Sequence, residues 1–125
     1  MGRLSGKVAI ISGGATGMGG AASLLFSAEG AKVAILDLNF TEAQARVSEI
    51  TAKGGQAVAI ACDVSDSVQV TAAVNQATQA LGPITVLFNH AGTIVIKPFL
   101  ETTEEEWDWL HAVNVKSMFL VTKAV

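Results

Sequence analysis

The sequence predicts an α/β fold in which a doubly wound parallel sheet is covered by helices on both faces. Three observations support this: four short segments are apolar without interruption, longer helical patterns separate them, and the connections are short. Continuous rather than alternating apolar residues are typical of strands buried on both faces, as in a parallel sheet. In chain order, the predicted strands are residues 7–12, 32–37, 56–62 and 84–89.

Three segments lie between these strands, and the first and third show helical periodicity in their apolar residues. In the first segment, predicted as a helix over residues 17–29, one face carries Ala21, Leu25 and Ala28. In the third segment, apolar side chains recur every three or four residues before a Gly-Pro stop, at Val70, Val74, Ala77 and Leu81. Both segments therefore have an apolar stripe of the kind that packs against a sheet.

Two further helices are predicted from capping boxes, in which a threonine is followed three residues later by glutamate or glutamine. Thr41 opens the second helix, whose inward face is expected to carry Ala43, Val47 and Ile50; Thr103 opens the last helix. The resulting order, βαβαβαβα, predicts one domain over residues 1–125. We expect this domain to be truncated after the fourth strand and the following helix, because no helix stop precedes the last residue.

Composition excludes several classes of partner. Of the 125 residues, 50% are hydrophobic and 15% charged, and the net charge is -3. Nucleic acid and anionic membranes require a basic face, so neither is an expected partner. No apolar run reaches the roughly 18 residues of a membrane span, and the early first strand leaves no room for a signal peptide, so we expect a cytoplasmic protein. The lone Cys62 ends an apolar strand and is predicted to be a buried structural thiol.

A glycine-rich turn joins the first strand to the first helix at residues 12–19. Gly13 permits a tight turn, while Gly17 and Gly19 allow a pyrophosphate to approach the backbone and the helix to approach the sheet. The helix N-terminus adds free N–H groups and the positive end of its dipole. An ordinary turn is the alternative, but the position between a strand and a helix is the one that the Rossmann-like dinucleotide-binding fold requires.

An acidic residue, Asp37, ends the second strand, 18 residues after Gly19. A carboxylate there accepts hydrogen bonds from the ribose hydroxyls of an adenine dinucleotide but repels a 2′-phosphate. The glycine turn contains no Arg or Lys that would offset this repulsion. The sequence therefore predicts NAD as cofactor rather than NADP, with a solvated helix cap as the alternative role for Asp37.

These features, taken with three others, resemble the short-chain dehydrogenase/reductase family over essentially the whole chain. The turn is similar to that family's Thr-Gly-x-x-x-Gly-x-Gly, with Ser12 in place of Thr and Met18 in place of the usual Ile. The remaining matches are the pair Asp63-Val64 after the third strand, the tetrapeptide Asn89-His90-Ala91-Gly92 after the fourth, and Asn114 in the last helix. His90 departs from the family's second Asn.

The resemblance implies a role for each matching residue. The pyrophosphate turn would comprise Ser12, Gly13, Gly17, Met18 and Gly19, and the adenosine would be held by Asp37, Leu38, Asp63 and Val64. The ribose and central sheet would be lined by Asn89, Ala91 and Gly92. Asn114 is the expected catalytic residue of this segment, holding a helix distortion whose carbonyl anchors a proton-relay water. No metal site is expected.

The resemblance also implies an activity, the transfer of hydride between NAD(H) and a secondary alcohol or ketone. The family's catalytic Ser and Tyr-x-x-x-Lys fall beyond residue 125, and the chain contains no tyrosine, so we expect it to be inactive alone. The alternative is a non-catalytic nucleotide-binding or dimerisation module; a sugar-nucleotide epimerase relative fits the glycine spacing less well. The full-length parent is expected to be a homo-oligomer, either a dimer or a tetramer.

Other candidate residues receive structural interpretations. His90 and His111 are expected to occupy a variable motif position and a helix face rather than to transfer protons. The glutamates at 104–106 favour a helix start over a metal site. Trp107 and Trp109 are expected to serve packing, with a place in the cavity or a subunit contact as the alternative. Residues 93–100 lie where the family's substrate cleft begins.

Overall fold

The computed structural model describes residues 2–125 and contains one four-stranded parallel sheet, as the sequence predicts. The strands are β1 (Val8–Ser12), β2 (Lys32–Asp37), β3 (Ala57–Ala61) and β4 (Val86–Asn89), in the spatial order β3-β2-β1-β4. After β1, the chain forms β2 and then β3 on one side of β1, and β4 lies on the other side of β1. In open parallel sheets, this reversal opens a crevice at the carboxyl ends of the strands.

β4 begins two residues later than the sequence indicates, and a side chain accounts for the difference. The backbone N–H of Thr85 donates to the Val8 carbonyl at 2.9 Å. The backbone N–H of Val8, however, donates to the Thr85 hydroxyl at 3.0 Å instead of to a backbone carbonyl. The hydroxyl thus occupies a position in the ladder, and regular pairing starts at Val86.

Residues 2–125 contain five α-helices, of which four pack on the sheet in two groups. Their bounds are α1 (Gly17–Ala28), α2 (Phe40–Ala52), α3 (Ser67–Leu81), α4 (Glu104–His111) and α5 (Ser117–Ala124). A π-helical turn, Ala112–Lys116, joins α4 to α5, and a short 3-10 helix, Phe99–Glu101, precedes α4. Helices α1 and α2 enclose one hydrophobic core, and α3 and α5 enclose a second core on the opposite face. The doubly wound arrangement is therefore confirmed.

The predicted apolar face of α1 is wrong, because Ala21, Leu25 and Ala28 are exposed. The helix instead buries its smallest residues, among them Gly20 and Ser23. A Cβ on Gly20 would lie 2.9 Å from the Ala15 carbonyl oxygen, so no larger residue fits at this separation. The Ser23 hydroxyl donates to the Gly14 carbonyl at 2.8 Å and anchors the helix to the turn before it. Close approach, rather than apolar periodicity, decides which side of α1 is buried.

The predicted inward faces of α2 and α3 are confirmed, as is the capping box of α4. The box around Thr41 is wrong: α2 begins earlier, at Phe40, and the Asn39 side chain accepts from the Glu42 N–H at 3.2 Å. Asn39 is itself held by a hydrogen bond from its N–H to Asp37 at 2.9 Å, which starts the helix immediately after β2. Within residues 2–125, no helix is both long and apolar enough to cross a membrane.

Candidate functional site

A cleft of about 700 Å³ lies at the carboxyl ends of the strands, where the chain reverses around β1. Its walls come from the glycine turn, the ends of β2 and β3, the segment after β4, and the part of the chain where α4 meets the π-helical turn. Most of the residues expected from the sequence line it, namely Gly13, Gly17, Asp37, Leu38, Asp63, Val64, Ala91, Gly92 and Asn114. The fold thus gathers separate motifs into one cavity.

The glycine turn is closely packed beneath and open above. Gly13 has a φ of 66° and donates its N–H to the Leu36 carbonyl at 2.7 Å. A Cβ on Gly13 would lie 2.8 Å from the Ala91 Cα, and one on Gly19 would overlap the Gly13 carbonyl oxygen. Gly17, with a φ of 57°, has no atom within 4 Å of the place its Cβ would take. The turn therefore leaves room for a phosphate group next to the N-terminus of α1.

Four of the expected residues do not line the cleft. Three of them pack or form hydrogen bonds inside the protein instead. Gly19 is buried beneath the turn. Ser12 is buried, and its hydroxyl accepts hydrogen bonds from the N–H groups of His90 at 3.0 Å and Ala91 at 3.1 Å, joining the ends of β1 and β4. Asn89 donates its amide to the Thr122 hydroxyl at 3.1 Å, toward α5. The fourth, Met18, projects into solvent at the start of α1.

Asp37 joins the end of β2 to the glycine turn. Its Oδ2 accepts a hydrogen bond from the Ala15 N–H at 3.1 Å, and its Oδ1 accepts one from the Asn39 N–H at 2.9 Å. A carboxylate has about four acceptor positions, so two N–H donors leave capacity for ligand hydroxyls. The carboxylate is therefore fixed in orientation while still facing the cleft.

Asp63, which follows β3, is fixed in a similar way. Its Oδ1 accepts from the Ser65 N–H at 3.0 Å and from the Ser65 hydroxyl at 2.6 Å. Its own N–H donates to the Gln69 side chain at 2.9 Å, which connects it to the first turn of α3. Among the described residues, no hydrogen bond to the second carboxylate oxygen is found, so that oxygen can accept one from a ligand.

The cleft is acidic beside the carboxyl ends of β2 and β3. Asp37 and Asp63 line the wall, and no Lys or Arg from residues 2–125 does. The region described also contains no group of three or more His, Cys, Asp or Glu residues that could hold a metal ion. The cleft therefore offers hydrogen-bond acceptors for hydroxyl and amino groups, and backbone N–H donors for phosphates.

Asn114 fastens the last helical segment to the loop that follows β4. Its Oδ1 accepts from the Thr93 N–H at 2.7 Å, and its amide donates to the Thr93 carbonyl at 2.9 Å. The residue lies in the π-helical turn between α4 and α5, so the expected helix distortion is present. Single π-turns inside helices are frequent at functional sites. A second bridge, between Lys97 and Glu106 at 2.7 Å, joins the same loop to α4 and holds the pKa of the Glu106 carboxyl below its usual value.

Several residues of the cleft were not identified from the sequence, including Thr16, Leu36 and Val113. Thr16 is a variable position of the glycine turn, Leu36 belongs to an apolar strand, and Val113 has only its neighbour Asn114 as a signal. The interpretation of His111 as part of a helix face agrees with its contact with the Trp107 ring, at 4.5 Å between centroids. Trp109, in contrast, lines the cleft, so the alternative weighed for the tryptophans applies to it.

The model of the family described as short chain dehydrogenase matches residues 7–125. The chain belongs to the short-chain dehydrogenase family. A Sphingobium indicum 2,5-dichloro-2,5-cyclohexadiene-1,4-diol dehydrogenase is 46% identical over 122 residues, which are 98% of this chain and 49% of that protein. A cyclopentanol dehydrogenase from a Comamonas species is 38% identical over 125 residues, or 100% of this chain and 50% of that protein.

Solved structures agree with the fold of this short-chain dehydrogenase chain. A dehydrogenase/reductase from Sinorhizobium meliloti 1021 has a TM-score of 0.93 at 38% identity, covering 97% of this chain and 48% of the other. The chain therefore spans about half the length of the curated relatives it matches. At the level of the family, the chemistry is oxidoreduction with a nicotinamide cofactor.

We predict that Cys62 is unreactive and that its ionisation destabilises the fold. Its side chain is 2% exposed. Burial, with the nearby charges of Asp63 and Asp66, raises the pKa of the Cys62 thiol to about 11. An unfolded thiol ionises at lower pH, so the stabilisation is complete below the unfolded pKa and is lost as pH rises toward 11. Reaction of the native chain with an aromatic disulfide reagent at pH 8 should be far slower than in denaturant.

The corresponding stability measurement uses Cys62→Ala as the control. Between pH 9 and 11, the urea midpoint of the wild-type chain should fall more steeply than that of the variant, because only the wild-type chain loses the stabilisation of the neutral thiol. The lysines titrate equally in both proteins. If the urea midpoints of the two proteins fall in parallel with pH, or if the native thiol is labelled fast, Cys62 is accessible and its pKa is not raised.

Proposed function

We propose that residues 1–125 are the NAD-binding domain of an oxidoreductase that transfers hydride between a secondary alcohol or ketone and NAD(H). The observation that carries this proposal is the orientation of Asp37 toward the glycine turn, with both of its oxygens held by backbone N–H groups. A fixed carboxylate without a neighbouring cation in the described cleft favours a dinucleotide with free ribose hydroxyls. It disfavours a 2′-phosphate through like-charge repulsion.

The residues of the cleft fit such a ligand in three places. Asp37 accepts hydrogen bonds from ribose hydroxyls, and the free carboxylate oxygen of Asp63 accepts one from an exocyclic amine. The open backbone at Gly17 accommodates phosphate oxygens, which the N–H groups and dipole of α1 attract. When bound, the dinucleotide supplies a nicotinamide ring able to accept or donate hydride. Each of these contacts uses a group that the chain already holds in position.

The reacting end of the site is represented here by Asn114 alone. Its paired hydrogen bonds with Thr93 hold the loop after β4 against the π-helical turn. We propose that this arrangement positions the water of a proton relay, in agreement with the family resemblance. A general base is still required to take the proton of an alcohol. The described residues contain no tyrosine to act as that base.

The named relatives and the composition support proposals for the substrate, the partners and the cellular location. The substrate of the longer protein is proposed to be a small alcohol or ketone, since two of its relatives are named as cyclopentanol and cyclohexadienediol dehydrogenases. Acidic composition and a lone buried cysteine support a cytoplasmic location, without nucleic acid or membrane as partner.

Replacing Asp37 with Asn should weaken NAD binding and reduce the preference for NAD over NADP. The change keeps the shape of the side chain but removes the charge that accepts ribose hydroxyls and repels a 2′-phosphate. Hydrogen bonds to a charged group are worth about 1.5–3 kcal/mol, so we expect the Kd for NAD to rise roughly tenfold or more. Isothermal titration calorimetry with both cofactors measures this effect.

Glu105→Gln is the matched control, because it removes the same charge from the exposed first turn of α4, outside the cleft. It should leave both affinities unchanged. If Asp37→Asn behaves like this control, Asp37 is not the ribose-binding acid, and the assignment of NAD loses its basis.

The 125-residue chain by itself should support little or no turnover. With a panel of secondary alcohols that includes cyclopentanol, we expect no alcohol-dependent formation of NADH above the protein-free rate, because the chain lacks the tyrosine base. Absorbance at 340 nm measures this directly. Activity that the wild-type chain shows and Asn114→Ala abolishes would establish a different catalytic base within these residues.

The second candidate, a nucleotide-binding or dimerisation module, is favoured by exposed apolar side chains on the last helices. Phe119 is 60% exposed, and Val115 and Met118 lie near it in sequence with substantial exposure. Such a face supports a homo-oligomer, either a dimer or a tetramer. Sedimentation velocity should show concentration-dependent association that Phe119→Ser abolishes and Phe40→Ser, at the exposed start of α2, does not. A monomer at all concentrations would remove the dimerisation role.

A further inference from the structure

Trp109 of α4 lines the cleft together with Asp63 and Val64, from the loop that leads into α3. Helix α5 packs on α3, and its Val121 is buried in the same core as Val70 and Val74. Helix α5 follows α4 directly through the π-helical turn, whose Val113 and Asn114 also line the cleft. The loop with Asp63 and Val64 leads into α3 on one face of the sheet, whereas the glycine turn leads into α1 on the opposite face.

Trp109 of α4 and Val113 of the π-helical turn add aromatic and apolar surface to the cleft. Trp109 and Val113 are four residues apart, share one face of the helical segment and line the cleft together. Leu38 and Val64 supply apolar surface from the ends of β2 and β3. Trp109 is 48% exposed as a residue, which leaves part of its surface to be covered by a ligand.

The polar groups of the cleft restrict what this apolar surface can contact. Phosphates require the backbone N–H groups of the glycine turn, on the α1 side, and ribose hydroxyls require Asp37 at the end of β2. The apolar walls next to Asp63 remain for a planar, uncharged group with an amine at its edge. Adenine has this chemistry, and stacking on an aromatic side chain satisfies the face of a base without requiring hydrogen bonds.

We propose that Trp109 is an adenine-binding residue, whose indole contacts the face of the base opposite the walls formed by Leu38 and Val64. This inference rests on the proposed dinucleotide function and adds a contact to it. Trp109 lies in α4, which the Lys97–Glu106 bridge joins to the loop after β4. The Asn114–Thr93 hydrogen bonds join the adjoining π-helical turn to the same loop, so both contacts also position the base-binding wall. Adenine binding thus depends on the segment that also carries Asn114.

The chain contains two tryptophans, and the second provides a matched control. Trp107 is 55% exposed, similar to Trp109, but its ring contacts His111 and lines a different groove. Trp107→Phe leaves Trp109 as the only tryptophan, and Trp109→Phe leaves Trp107. Excitation at 295 nm then reports on one indole at a time.

The experiment titrates the purified chain with NAD, AMP and nicotinamide mononucleotide. In Trp107→Phe, NAD and AMP should change the emission of Trp109 saturably, and nicotinamide mononucleotide should not. In Trp109→Phe, the emission of Trp107 should stay constant with all three ligands. Calorimetry on Trp109→Ala should show weaker binding of NAD and AMP by the same factor, at least about fivefold, since base stacking on an aromatic residue contributes roughly 1–3 kcal/mol.

The outcomes separate this inference from the function on which it rests. Failure of the wild-type chain to bind NAD and AMP in calorimetry overturns both proposals. Normal NAD binding with equal affinities in Trp109→Ala and Trp107→Ala overturns the role of Trp109 alone. A fluorescence response to nicotinamide mononucleotide but not to AMP also overturns it, because Trp109 would then lie at the nicotinamide end. Circular dichroism of each variant confirms folding, and the phenylalanine variants provide the same test should Trp109→Ala fail to fold.

Discussion

The site depends on the absence of side chains at Gly13 and Gly19 of the glycine turn. Any Cβ at Gly19 would overlap the Gly13 carbonyl, and one at Gly13 would meet the backbone at Ala91. Helix α1 can therefore reach the end of β1 only because these positions are bare. Once it does, its N-terminus opens toward the cleft, and its N–H groups are available to an anion. A larger residue would separate the helix, the turn and the loop after β4 together.

A small number of hydrogen bonds then converts this close approach into a defined cavity. Asp37 joins β2 to the turn through Ala15, and Ser12 joins β1 to the loop after β4 through the N–H groups of His90 and Ala91. Asn114 joins that loop to the last helical segment through both polar groups of Thr93. The carboxyl ends of three neighbouring strands and one helical segment are thus mutually fixed, which is the preorganisation that ligand binding favours.

The sequence predicted the strands and most helix faces because those features depend on local patterns. Continuous apolar runs mark strands buried on both faces, and Val70 and Val74 recur at the helical period. The same reasoning was wrong for α1, where Leu25 is exposed and Ser23 is buried. In α1, Leu24 and Phe26 pack partly buried against the sheet, whereas the fully buried positions are small residues that meet the glycine turn, where there is no room for a larger side chain.

By itself, the sequence determined the order of elements, the family and the identity of the motif residues, since each is encoded in spacing along the chain. Tertiary structure decided which of those residues share a surface. It brought Asp37, Asp63 and Asn114 to one cleft, directed Ser12 and Asn89 into bonds between elements, and added Trp109 from a helix with no recognisable motif. These outcomes depend on where the segment from α4 to the π-helical turn meets the cleft. That placement arises from contacts between residues distant in sequence, such as Thr93 with Asn114, which no local pattern encodes.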